Sequence, residues 1–115
     1  MGVAVVFDMA PDVKAALLTV CDTVVFHWPE TFGRMPCISY CEMHNGEYRH
    51  ADDAEYLSEI HFTVDIWAKT GAEASALAAQ SSDALRLIGF SRQNAHDLRD
   101  ISGLRRKNML FKTIR

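Results

Sequence analysis

The sequence predicts an α+β fold: a single, mainly antiparallel sheet of four to five strands with two helices packed on one face. Residues 60–66 alternate apolar and polar side chains with the period of two that marks a half-buried strand. Residues 70–89 run from a Thr-x-x-Glu capping box to a glycine, which frames an amphipathic helix. The element order is helix, two or three strands, helix, two strands, and helices set between runs of antiparallel strands fold as one sheet covered on one side. At 115 residues, the chain is expected to form one domain over 1–115, with a single core.

The first helix is predicted over residues 10–22. Pro11 suits a first turn, where its missing N–H is no loss, and Asp12 there favours the helix dipole. Val13, Ala16, Leu17, Val20 and Cys21 make one apolar face, which assigns Cys21 to the core. A short extended segment over 23–28 follows from its β-branched and aromatic residues. Pro29, Gly33 and Pro36 then impose a loop to about residue 35, carrying Phe32 and Arg34.

Residues 36–43, PCISYCEM, read as a strand with Ile38 and Tyr40 on one side and Cys37, Ser39, Cys41 and Met43 on the other. Asn45-Gly46 favours a tight turn after it, with a longer connection as the alternative, because the next strand signal begins near Glu55. In the clearest strand, Ile60, Phe62, Val64 and Ile66 alternate with Glu59, His61, Thr63, Asp65 and Trp67. The second helix, over 71–88, is capped by Thr70 and Glu73, faces inward through Ala74, Leu77, Ala78, Ser81, Leu85 and Ile88, and ends at Gly89. Two last strands join near residues 100–103; Met109 and Phe111 share one face, Leu110, Lys112 and Ile114 the other. The uncovered face, carrying Trp67, His61 and Tyr40 or their neighbours, is left to solvent or to a partner. The apolar VAVVF within residues 1–9 could add a strand.

An apolar fraction of 49% and a charged fraction of 23% are those of an ordinary globular protein. No run reaches the roughly 18 apolar residues of a membrane span, and the first residues lack the pattern of a signal peptide. Three cysteines, an odd number, fit a reducing cytoplasm better than a disulfide framework. The net charge of −3 conceals a split: residues 1–90 hold 5 basic and 13 acidic side chains, residues 91–115 hold 7 basic and 2 acidic. Such asymmetry suits contact between copies or with a polyanion, although basic residues also blunt a sheet edge.

Four chemistries can be weighed. Cys37 and Cys41, with His44 and His50 nearby, have soft zinc ligands, but positions four apart on a strand lie about 13 Å from each other, too far to share one ion. Asp52, Asp53, Glu55 and Glu59 lack the spacing and glycine of a calcium loop and read as solvated carboxylates. Neither a nucleophile elbow, a phosphate-binding glycine loop nor a His-Glu-x-x-His motif is present, so no active site and no cofactor is expected. Arg99, Arg105, Arg106, Lys107, Lys112 and Arg115 with Phe111 allow weak backbone contact with nucleic acid, but the chain lacks the compact basic motif of a dedicated binder.

Read end to end, WPETFGRMPCISYCEM, ADDAEYLSEIHFTVDIWAK, DALRLIGFSR, AHDLRD and GLRRKNMLFKTIR, in that order and spacing, resemble the tail-terminator or tail-completion proteins of long-tailed bacteriophages. The resemblance covers almost everything from Pro11 onward. It implies a structural, non-enzymatic virion subunit of the tail and neck, assembled in the host cytoplasm. It further implies a homo-oligomer, typically a hexameric ring, which caps the head-proximal end of the tail tube. The partners implied are the tail-tube protein and the head-to-tail connector or stopper, with DNA only as cargo and no membrane. Expected interface residues are Phe32 and Arg34, the acidic Asp52, Asp53, Glu55 and Glu59, Trp67, and the basic Arg105, Arg106 and Lys107, the last three set against the 52–59 region of a neighbour. The alternatives are a head-completion or stopper subunit of the same neck, a small cytoplasmic enzyme using Cys37 or Cys41, and a monomeric binding module.

Overall fold

The structure, a computed structural model, describes residues 8–29, 35–48, 57–99 and 103–115. Its elements in chain order are α1 (Ala10–Leu18), β1 (Val24–Phe26), β2 (Cys37–Tyr48), β3 (Leu57–Ala68), α2 (Gly71–Leu87), β4 (Ser91–Arg99) and β5 (Arg105–Ile114). The five strands form one sheet in the order β1-β2-β3-β5-β4. β1 runs parallel to β2, and every other pair is antiparallel. The predicted fold class is therefore the observed one.

Both helices lie on one face. Val13 and Leu17 of α1 and Ala74, Ala78 and Leu85 of α2 share a core with Ile38, Tyr40, Ile60, Phe62, Val64, Ile66, Met109 and Phe111. The alternation along β3 has its expected cause: Ile60, Phe62, Val64 and Ile66 are fully buried beneath the helices. Thr70 caps α2 as the sequence predicts, the Glu73 N–H donating to Thr70 Oγ1 at 3.2 Å. At its other end Gly89 takes φ +93°, the left-handed turn at which glycine is strongly favoured.

Four expectations need correction. First, α1 ends at Leu18 rather than near residue 22, because Thr19 and Val20 donate three residues back, to Ala16 O and Leu17 O, and tighten the turn. The Thr19 hydroxyl also takes the Ala16 carbonyl, at 2.6 Å, a side-chain competition that disfavours helix. Cys21 nevertheless reaches the core as expected. Second, Asn45-Gly46 is not a turn: Asn45 pairs with Ile60 and Gly46 with Glu59, inside a strand that continues to Tyr48. Register with the long β3 overrides the local turn preference, and a bulge between Glu42 and His44 absorbs the mismatch.

Third, Tyr40 belongs to the covered face. It is 5% exposed and sits in the core near Phe62, because it pairs with Val64 and opposed residues share a face. Fourth, the extended segment predicted over 23–28 contracts to a three-residue strand, after which His27 adopts φ +67°. The strand that residues 1–9 could add falls largely on 1–7, and the turn near 100–103 largely on 100–102, outside the described residues.

Gly89→Ala should destabilise the fold by roughly 1–2 kcal/mol, because a Cβ there is disfavoured by the backbone and would meet Arg115 Nη2 at 2.8 Å. Gly71→Ala, with nothing within 4 Å, should be neutral or mildly stabilising; urea denaturation of the two variants checks the contrast.

Candidate docking surface

The face of the sheet away from the helices is not a plain solvated surface. Trp67, on that face of β3, is 0% exposed. Its cover is built locally: after β1, the left-handed His27 turns the chain, the Trp28 N–H donates to Phe26 O at 3.0 Å, and the Trp28 ring meets Trp67 edge to face at 4.9 Å. Arg106, opposite Trp67 on β5, places its guanidinium 4.6 Å from the Trp28 ring centre and 5.0 Å from that of Trp67. Each such cation–π contact contributes about 0.5–2 kcal/mol, more as it is shielded from water.

Hydrogen bonds fix this arrangement. Trp67 Nε1 donates to Ser39 Oγ at 3.1 Å. Arg106 Nε donates to Asp65 Oδ1 at 3.1 Å, and Asn108 Nδ2 donates to the same oxygen at 2.8 Å and to Thr63 Oγ1 at 2.9 Å. Asp65 is 3% exposed, and a carboxylate so placed is stable only with donors to compensate its lost hydration. On the same side, His27 Nδ1 lies 3.2 Å from Cys41 Sγ. At the other end of the face, Lys112 Nζ approaches Glu59 Oε1 at 3.2 Å, His61 Nε2 approaches it at 3.6 Å, and the His61 ring meets His44 edge to face. Hydrogen bonding from Lys112 is the main cause that holds the Glu59 carboxyl below its usual range.

Of the expected interface residues, Phe32, Arg34, Asp52, Asp53 and Glu55 lie outside the described residues. Glu59 lines the uncovered face. Trp67 is sealed, and the ring that meets solvent beside it is Trp28, 50% exposed. Arg106 is held in the Asp65 and tryptophan network. Lys107 points to the other side, sharing the face of Ile66, and pairs with Asp97 at 2.8 Å. Arg105 is exposed and has no ion pair among the described residues. The three basic residues, adjacent in sequence, thus have three different environments.

The network of Ser39, Asp65, Asn108 and Trp28 was not evident from sequence reasoning. Its one readable signal is parity: Asp65 and Trp67 fall on the polar side of β3, where a tryptophan next to a carboxylate two residues back asks for cover. Their partners emerge only from the β3–β5 register. For chemistry the face offers little: burial, with Cys21 nearby adding to it, pushes the Cys37 thiol up to about 11, leaving it protonated at neutral pH and a poor nucleophile or metal ligand. Cys37 and Cys41 both lie on the strand expected of them. Among the described residues no cluster of three or more His, Cys, Asp or Glu could hold a metal ion.

Asp65→Ala should cost about 3 kcal/mol, since it strands the Arg106 and Asn108 donors, whereas Arg105→Ala should change stability by less than about 0.5 kcal/mol; thermal melts of both compare them. Glu59, with its carboxyl lowered in the folded state, contributes stability that is present above the ordinary carboxylate pKa and is lost as pH falls through the folded value. A carbon-13 titration should find its midpoint below that of a free glutamate, and Lys112→Met should raise it.

The family model described as "Tail completion protein gp17" matches residues 9–114. No curated protein matches the chain. Among solved structures, a chain from "Virion of native gene transfer agent (GTA) particle" superposes with a TM-score of 0.62 at 22% identity, over 87% of this chain and 84% of that one. At that identity the likeness establishes a shared fold. The chain belongs to the tail completion protein gp17 family, and its role is that of a structural phage virion protein in tail completion.

Proposed function

We propose that the chain assembles into a closed ring, hexameric in the finished tail, at the head-proximal end of the tail tube. There it stops tube polymerisation and presents the surface that joins the head connector; DNA crosses it only as cargo. The family match over residues 9–114 carries this reading. The shape of the subunit supports it: among the described residues the sheet ends in two unlike edges, β1 with the outer part of β2 on one side and β4 on the other. A head-to-tail ring requires two different, complementary patches on each subunit.

Charge is disposed along the strands. On β3, Glu59 lies opposite Ile114, and Ala68, nine positions on, lies opposite Arg105; at about 3.3 Å per residue these ends are roughly 30 Å apart. Asp52, Asp53 and Glu55 precede Glu59 closely in sequence. In a ring whose axis follows the strands, pairing Arg105 with a neighbour's Glu59 needs an axial step of that length, and such a step turns a ring into a helix. We therefore assign the acidic end and the Arg105 end to the two axial neighbours, tube and connector. Trp28 is an exposed aromatic of the uncovered face, and Phe32 and Arg34, four and six positions on in the sequence, are assigned as further docking residues.

Particles produced without this protein should carry abnormally long tails or free tube polymers, visible by negative-stain microscopy. Normal tails joined to heads would sink the proposal. Copurification with the portal instead of the tube protein would assign the chain to the head-completion joint.

A further inference from the structure

Between the C-terminal half of α2 and the start of β4 lies an open groove of about 400 Å³, with Ala79 and Phe90 among its apolar lining and Arg86 and Arg92 as its cations. Arg86 is bonded to Asp83 at 2.9 Å, so that carboxylate is already neutralised. Arg92 donates to Ser82 Oγ at 3.4 Å and has no carboxylate partner among the described residues.

The opposite edge of the sheet carries the complement. Met43 is the extra residue of the β2 bulge and is 62% exposed, a long apolar side chain in water. Glu42 beside it is exposed, accepts from Asn45 Nδ2 at 3.1 Å, and has no cation partner among the described residues. β1 stops at Phe26, opposite Tyr40, so the outer edge of β2 at Glu42 and Met43 pairs with no described strand. Glu42 pairs with Phe62, Phe62 with Phe111, and Phe111 with Arg92. The two patches are thus the ends of one row across the sheet.

We propose that Met43 and Glu42 of one copy seat in the α2–β4 groove of the next copy, Met43 against the exposed Ala79 above the buried Phe90, Glu42 paired with Arg92. This rests on the ring reading and names its subunit contact. Because both patches sit at one level, a rotation about an axis along the strands joins them without rise, the condition for closing a ring instead of winding a filament. A bulge re-aims a side chain at a sheet edge, and methionine adapts to an irregular groove.

The test uses tail particles assembled with the full chain carrying Met43→Cys and Ala79→Cys in a Cys41→Ser background, treated with a short bis-maleimide. A ladder of covalent multimers is expected, with each chain that carries only one of the two introduced cysteines remaining monomeric, since Cys21 and Cys37 are buried. If only monomers form while an amine cross-linker still yields the ladder, this contact is wrong and the ring stands. If neither reagent gives multimers, the ring reading fails and takes the contact with it. As a second arm, Glu42→Arg and Arg92→Glu should each lower particle yield by about tenfold, as expected for an intersubunit charge pair turned repulsive, and the double variant should recover it. No recovery, with circular dichroism showing folded chains, would overturn the ion pair.

Discussion

The structure depends on a central strand whose last residues, Asp65 to Ala68, are buried on both faces in a sheet whose helices cover only one. Under the helices the problem is solved by apolar side chains, Ile60 to Ile66 at every second position. On the other face the described residues form no second layer, and Trp67 is covered by Trp28, brought back by the left-handed His27. Arg106 then serves two roles at once. Its guanidinium lies against both indoles, and its Nε neutralises Asp65. Removing either charge leaves the other buried beside apolar rings, which is why this corner couples β1, β3 and β5.

Much of this fold could be read from the chain because local and global preferences agree. The alternation of β3, the Thr70 cap and Gly89 each state one outcome, and the structure adopts it. Where they conflict, long-range pairing wins. Asn45-Gly46 is as strong a turn signal as two residues give, yet twelve residues of β3 offer β2 a continuous ladder, and the turn preference yields to it. The Trp67 environment was hidden for a different reason. Parity places a residue on a face but does not reveal what folds over that face, and the cover comes from Trp28, thirty-nine positions earlier.

The same conflict bears on function. Adjacent basic residues at 105–107 look in sequence like one patch, and in the sheet they alternate: Arg106 faces the tryptophans, Lys107 meets Asp97 across the covered side, and Arg105 remains exposed. The interface signal that sequence reasoning passed over is Met43, which in a regular strand would be one more alternating side chain. The bulge that extends β2 past its expected end also puts this side chain out at the edge. A correction to the fold and a candidate contact between subunits therefore have one cause.

Assembly through the two sheet edges is most directly tested by amide hydrogen exchange, measured residue by residue on the isolated chain and on the chain in assembled tails. In the isolated chain β3 and β5, paired on both sides, should exchange slowest, and the outer part of β2 and the whole of β4 fastest. On assembly, protection should rise at residues 41–45 and 91–94 and stay unchanged through β3. Equal protection of β4 and β3 before assembly, or no gain at either edge after it, would contradict the edge-to-edge account.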